Sequence, residues 1–274
     1  MDNLCRIKSK FDFLKKKNQS ALIAFLTVGD PNLQTSEKII KGLPKAGADI
    51  IEIGMPFSDP MADGPVIQRS YRRALKNGNY IPKMFQLIKN FRKQDNTTPI
   101  ILMGYYNPIY QIGLKNFFMQ AYNYGVDGVL IVDLPPEEDR DVLRYSQGKK
   151  KINIIKLTTP TTDKKRITNI AKSASGFVYY VSITGISGSK IDNFSNIEKA
   201  YKKLKKNINL PFVVGFGINT PSKARSIAKY ADGVVVGSAL IKEIEKSVNS
   251  RNAIKNVLDL VNRYSYSIKK ARTK

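Results

Sequence analysis

Eight short apolar runs, spaced evenly from one end of the chain to the other, limit what it can fold into. They are Leu22–Thr27, Ile50–Gly54, Ile100–Gly104, Gly128–Val132, Ile152–Leu157, Phe177–Val181, Phe212–Gly215 and Gly233–Gly237. Each is rich in Ile, Val, Leu or Phe and nearly continuous rather than alternating, the pattern of parallel strands covered on both faces. Amphipathic stretches separate them: Leu33–Ala46, Ile81–Arg92, Leu114–Tyr124, Glu137–Tyr145, Asp163–Ala171, Ile197–Lys206 and Pro221–Lys229, with Ala253–Lys270 closing the chain. Their ends carry helix signals, such as Gly47 and Gly125 as stops and Thr220–Pro221 as a start. Before the first run, Leu4, Ile7, Phe11 and Leu14 recur at helical spacing. Eight strands alternating with helices over about 250 residues predict an α/β fold, a (β/α)8 TIM barrel. Residues 1–274 then form one domain with an extra N-terminal helix, since no linker or low-complexity tract divides them. A doubly wound open sheet is the rival, but the first turn, TVGDPN, lacks the GxGxxG fingerprint. The barrel repeat shows only as alternation, not as matching sequence.

Composition removes whole classes of chemistry. The chain has no His, which excludes Ser-His-Asp and Cys-His nucleophilic machinery, histidine metal sites and histidine acid–base catalysis. Cys5 is alone, so neither a disulfide framework nor a cysteine metal site is expected. Proton transfer is left to Asp, Glu, Lys, Tyr or water. Lys and Arg number 46 against 22 Asp and Glu, a net charge of +24. Charge alone suggests a nucleic-acid binder. The basic residues, however, are spread along the chain without aromatic interleaving, and abundant Lys, Ile and Asn fit an AT-rich genome, such as that of a plastid or a reduced bacterium. No specific nucleic-acid partner is expected. No run reaches the ~18 apolar residues of a membrane span. The acids Asp2 and Asp12 in the N-terminal segment argue against a leader, so the protein is expected in a plastid stroma or a bacterial cytoplasm and not secreted.

The chemistry is expected in IEIGMPFSDPMADGPVIQRS, Ile51 to Ser70. Glu52 sits inside an apolar strand, where a charge is costly without a partner or a task. The following loop carries Asp59 and Asp63, and Asp63 in ADGP is the one expected to face the same mouth as Glu52. Asp59 reads better as an ordinary turn acid. Loops after the seventh and eighth strands hold Gly215, Gly217 and Gly237–Ser238, and the usual barrel phosphate site lies there. Thr220–Pro221 offers further helix-start amides. Gly185 and Gly188, after the sixth strand, suit a mobile lid or a plain loop. Tyr179, Phe25 and Met103 either line a pocket or pack the core; Asp133 and Asn107 end strands at the same mouth.

The sequence closely resembles the alpha subunit of tryptophan synthase. The resemblance rests on IEIGMPFSDPMADGPVIQRS together with MGYYNPIYQIG, GVDGVLIVDLPPEE, GFVYYVSITGISG and VGFGINTP, in that order over nearly the whole chain. It implies a barrel that cleaves indole-3-glycerol phosphate to indole and glyceraldehyde 3-phosphate. By resemblance, Glu52 and Asp63 are the catalytic carboxylates, with Tyr179 beside them. Gly188, Phe216, Gly217, Gly237 and Ser238 form the phosphate site; Phe25, Met103 and Asp133 fall at the indole pocket. Ser187 replaces the usual lid threonine, and Ile183 stands where some relatives carry arginine. No cofactor is implied for this chain. A beta subunit holding pyridoxal phosphate is implied as partner, in a complex of two alpha and two beta chains, with Pro56, Asp59, Asn107 and Pro135 in the contact regions.

Overall fold

A computed structural model of the chain describes residues 3–78, 80–147, 151–181 and 194–272. Its centre is a closed barrel of eight parallel strands in sequence order, the last pairing with the first. The strands are β1 (Ala21–Thr27), β2 (Ile50–Gly54), β3 (Ile100–Gly104), β4 (Gly128–Ile131), β5 (Asn153–Thr158), β6 (Val178–Val181), β7 (Phe212–Gly215) and β8 (Gly233–Val236). Each matches an apolar run to within one or two residues. β1 to β4, β7 and β8 are buried throughout, because helices cover the outer face of the sheet.

The helices are α1 (Asn3–Lys16), α2 (Leu33–Gly42), α3 (Pro65–Leu75), α4 (Ile81–Arg92), α5 (Tyr106–Ile112), α6 (Leu114–Tyr124), α7 (Arg140–Ser146), α8 (Lys164–Ser173), α9 (Phe194–Lys205), α10 (Pro221–Ala228), α11 (Ser238–Lys246) and α12 (Ser250–Lys269). Two of them, α3 and α5, lie in stretches that periodicity left as loops. α3 starts on Pro65 at its first turn and has no side-chain cap. Its buried Ile67, Ser70, Tyr71 and Ala74 follow the i, i+3, i+4, i+7 rule, which a tyrosine and a serine obscure in sequence.

The N-terminal ends of the strands share one device. A side chain just before β2, β4, β6 and β8 accepts a backbone N–H from the first residues of the preceding strand. Asp49 takes Leu22 at 2.9 Å, Asp127 takes Ile100 at 2.7 Å, Ser175 takes Ile154 at 2.8 Å and Asp232 takes Phe212 at 2.8 Å. Three of the four positions share a sequence pattern, ADI, VDG and ADG, with the Asp one residue before its strand, while Ser175 stands three residues before β6. A one-residue slip would break all four bonds, so they help fix the register.

α1 closes this end. Ile7, Phe11 and Leu14 turn inward, and Phe11 meets Phe177 edge-on at 5.9 Å. Arg6 donates to Asp127 at 3.0 Å, and Arg92 reaches the other carboxylate oxygen at 2.8 Å. Asp127 is fully buried, so two guanidiniums and a backbone N–H carry its charge. Removing it strands two buried cations. Asp127→Ala is expected to lose about 3–5 kcal/mol in urea unfolding, and a loss below about 1 kcal/mol would show that the pair contributes no more than a surface bridge.

Candidate active site

At the opposite end of the barrel the loops enclose a cavity of about 230 Å³. Phe25 of β1, Met103 of β3, Tyr179 of β6 and Val235 of β8 line its floor; Asp63, Ile67 and the loop after β7 line its walls. Glu52 stands between Phe25 and Ile101 in strand register, inside the barrel and 1% exposed. Neither of its carboxyl oxygens has a hydrogen-bond partner among the described residues. No cation is paired with it there; the buried lysine of the barrel, Lys156, instead bonds Asp139 at 2.6 Å. Burial, and then the nearby Asp63, raises the Glu52 pKa to about 8. Glu52 is thus a neutral acid at pH 7.

Asp63 differs because it has a donor. The Tyr105 hydroxyl, buried at the end of β3, donates to Asp63 at 2.7 Å and itself accepts the Ala62 N–H at 3.1 Å. Burial raises Asp63 to about 6, with the Tyr105 bond holding it down. Burial and the Asp63 charge also push the Tyr105 phenol up, so it stays a donor. The two carboxyls therefore share one proton near neutrality, with Glu52 holding it. Nothing in the sequence pattern marked Tyr105, since a tyrosine after a strand signals nothing by itself.

The second wall suits an anion. Phe216 and Gly217 are consecutive residues with positive φ, 74° and 71°. A phenylalanine held there is strained, and two successive left-handed residues are a backbone form that suits anion binding at the cavity wall. Gly237 and Ser238 open α11, which has no side-chain cap, so its first amides remain available there. Lys242, one turn further on, also lines the cavity and was not foreseen. Thr220, by contrast, spends its hydroxyl on capping α10, accepting Lys223 N–H at 3.2 Å, and lies away from the lining. Gly215 matters for another reason: a Cβ there would sit 2.1 Å from the Tyr179 hydroxyl, so only glycine lets that ring lie across the floor.

Of the residues singled out in the sequence, Phe25, Asp63, Met103, Tyr179, Phe216, Gly217, Gly237 and Ser238 meet around this one cavity. Glu52 lies beside it, beneath the surface of the lining. Asp133 does not join them; it is exposed, and its carboxylate accepts the Tyr106 N–H at 2.8 Å, steadying the start of α5. Asp59 and Asn107 are exposed at the mouth, Pro135 is half-buried and Pro56 is buried. Ile183, Gly185, Ser187 and Gly188 lie outside the described residues.

Comparison with known proteins agrees with this geometry. Residues 11–270 match the family model described as tryptophan synthase alpha chain. The fold superposes on a crystal structure of tryptophan synthase subunit alpha from Legionella pneumophila str. Paris with a TM-score of 0.89, at 39% identity over 98% of each chain. A tryptophan synthase alpha chain from Legionella pneumophila subsp. pneumophila gives 0.89 at 37% identity over 100% of both chains. An aminoacrylate-bound tryptophan synthase from M. tuberculosis gives 0.85 at 27% identity, over 96% of this chain and 99% of the other. The chain belongs to the tryptophan synthase alpha chain family, the lyases that cleave indole-3-glycerol phosphate to indole and glyceraldehyde 3-phosphate.

Proposed function

We propose that Glu52 and Asp63 divide the proton work of this cleavage between them. The observation that carries the assignment is a buried, unpartnered carboxyl beside a second carboxyl that has its own donor. Breaking the bond between indole C3 and the glycerol carbon needs an electron sink, and the ring becomes one once C3 is protonated. Glu52, protonated at neutral pH, donates that proton. Asp63 accepts the indole N–H and stabilises the positive charge that develops on the ring. The Glu52 carboxylate then takes the proton of the adjacent hydroxyl. The carbon–carbon electron pair returns to the ring, an aldehyde forms, and Glu52 ends protonated again. No cofactor enters these steps. Tyr179 packs edge-on to Phe216 at 6.4 Å and borders the reacting atoms. Phe25 and Met103 hold the ring, while the phosphate settles on the Gly217, Gly237 and Ser238 amides with Lys242 beside them. Gly188 and Ser187 complete the phosphate site and lid in this reading.

The chain works as one barrel domain with a beta subunit as partner, in a complex of two alpha and two beta chains. The partner carries pyridoxal phosphate and consumes the indole. Exposed Asp59 and Asn107 support this, as do Met61 on the loop after β2 and Tyr110 on α5, 79% and 61% exposed. Pro56 and Pro135 shape those loops. A plastid setting rests on the Lys-, Ile- and Asn-rich composition alone. No helix among the described residues is long and apolar enough to cross a membrane.

Because the productive state needs Asp63 ionised and Glu52 protonated, kcat/KM is expected to be bell-shaped, with limbs at about 6 for Asp63 and about 8 for Glu52. A profile flat from pH 5.5 to 9 would contradict the division of roles. Glu52→Gln should lower turnover at least ~100-fold; near-normal indole release would refute the assignment. The same variant has a stability signature. The Glu52 pKa is raised on folding, from a usual value of 4.5 to about 8. Its contribution is therefore full below 4.5 and is lost as pH rises through about 8. The Tm difference in favour of Glu52→Gln should thus be greater at pH 9 than at pH 5, and a constant difference would place Glu52 in a wetter setting. Finally, the protein should co-elute with a cognate beta chain in gel filtration at micromolar concentrations, and separate peaks there would weigh against the complex.

A further inference from the structure

A second orphaned polar group lies at the mouth end of β2, two positions on from Glu52. The Tyr71 hydroxyl on α3 is fully buried and, like both Glu52 oxygens, has no hydrogen-bond partner among the described residues. A buried hydroxyl left unpaired forfeits the hydrogen bonds it made in water, so its position calls for a role. Its location is fixed by Gly54: a Cβ on that residue would lie 3.4 Å from the Tyr71 oxygen. Gly54 follows Glu52 by two positions on β2, so both project to the same side of the strand, roughly 6.6 Å apart. The Glu52 side chain spans more than half that gap. A rotation of its χ angles toward the mouth, which is also the direction of the cavity, carries its carboxyl toward the side of Gly54 on which the Tyr71 hydroxyl lies.

We propose that Tyr71 is a positioning residue for the lyase reaction: its hydroxyl donates a hydrogen bond to the Glu52 carboxyl oxygen that does not exchange a proton with substrate. Glu52 needs such a partner because its carboxyl lies beneath the cavity lining and must be held once it turns toward the ring. The inference rests on the reading of Glu52 as the acid–base group. Four groups act on the Tyr71 oxygen electrostatically: first Asp63 on the loop after β2, then Tyr105 at the end of β3, Glu52 on β2, and Tyr80 just before α4. Tyr105 is already committed to Asp63 and Ala62, and Asp63 already has Tyr105. Glu52 is the acceptor in this set that has nothing. Burial and the surrounding carboxyls hold the Tyr71 phenol well above its ordinary value, so it remains a donor throughout the working range. Ser70, its neighbour, is taken by Thr27 and the Ile67 carbonyl.

The test is Tyr71→Phe, which removes one oxygen and keeps the ring, measured beside Glu52→Gln for indole release from indole-3-glycerol phosphate. Loss of the donor destabilises the Glu52 carboxylate relative to its acid. The basic limb of kcat/KM should therefore move up by half a pH unit or more, with kcat falling five-fold or more and KM changing less than two-fold. Movement of the acidic limb instead would assign Tyr71 to Asp63 and overturn the proposal. Unmoved limbs with normal kcat would make it a core residue and overturn it equally. If Glu52→Gln itself retained activity, the reading of Glu52 would fail; if only Tyr71→Phe were silent, this inference alone would fail. Infrared difference spectroscopy covers the case of a poorly folded variant. In the wild-type protein with bound glycerol phosphate and indole, the Glu52 carboxylic C=O band, assigned by Glu52→Gln, should shift when tyrosine is replaced biosynthetically by 3,5-difluorotyrosine. No shift would overturn the donor role.

Discussion

Closure of the sheet is the constraint on which everything else in this molecule depends. Eight parallel strands can join in a ring only if all keep one register, and a parallel ladder supplies no hairpin turn to set it. The chain sets it at the N-terminal end, where Asp49, Asp127, Ser175 and Asp232 each capture a backbone N–H of the strand before. α1 and the Arg6–Asp127–Arg92 cluster then seal that end. Because these register bonds lie at the N-terminal end, the other mouth does not have to set the register and can hold a strained turn and a buried acid.

That freedom is used at Glu52. Two carboxyls inside one barrel mouth would both drift toward neutrality if their surroundings were alike. They are made unlike by a single donor, Tyr105, which serves Asp63 and leaves Glu52 in apolar walls. The pair is thus poised as one acid and one base at the same pH. Burying an unpartnered carboxyl works against folding, and the bonded network at the other end offsets it. Strain is placed likewise: the left-handed turn at Phe216–Gly217 and the bare start of α11 are poor local choices that together make an anion cradle.

Close approach, rather than flexibility, explains the decisive glycines. Gly215 lets Tyr179 cross the floor of the cavity, and Gly54 leaves space that the Phe25 ring and the Tyr71 hydroxyl fill. In each case an absent side chain on one strand permits a ring from another element to reach the centre. The apolar ring pocket and the phosphate cradle are therefore joined in one cavity.

The sequence by itself determined the strand count, the alternation that makes a barrel, the separation of Glu52 and Asp63 by one strand-to-loop turn, and the Gly215/Gly217 and Gly237–Ser238 signals at the ends of β7 and β8. These are local signals, carried by residue type and spacing within one repeat. It did not determine α3 and α5, whose buried faces include Tyr71, Ser70 and Ile109 and whose starts lack a polar cap. Nor did it reveal Tyr105 and Lys242, or show that Asp133 turns to the Tyr106 amide while Thr220 turns to its own helix. Most of those outcomes hinge on which groups meet across 27 or more positions, as Tyr106 and Asp133 do, and the Thr220 cap hinges on the local turn that its helix start adopts. Only the closed ring brings such groups together, because the distances that decide a hydrogen bond or a shifted pKa are set between elements, not along the chain.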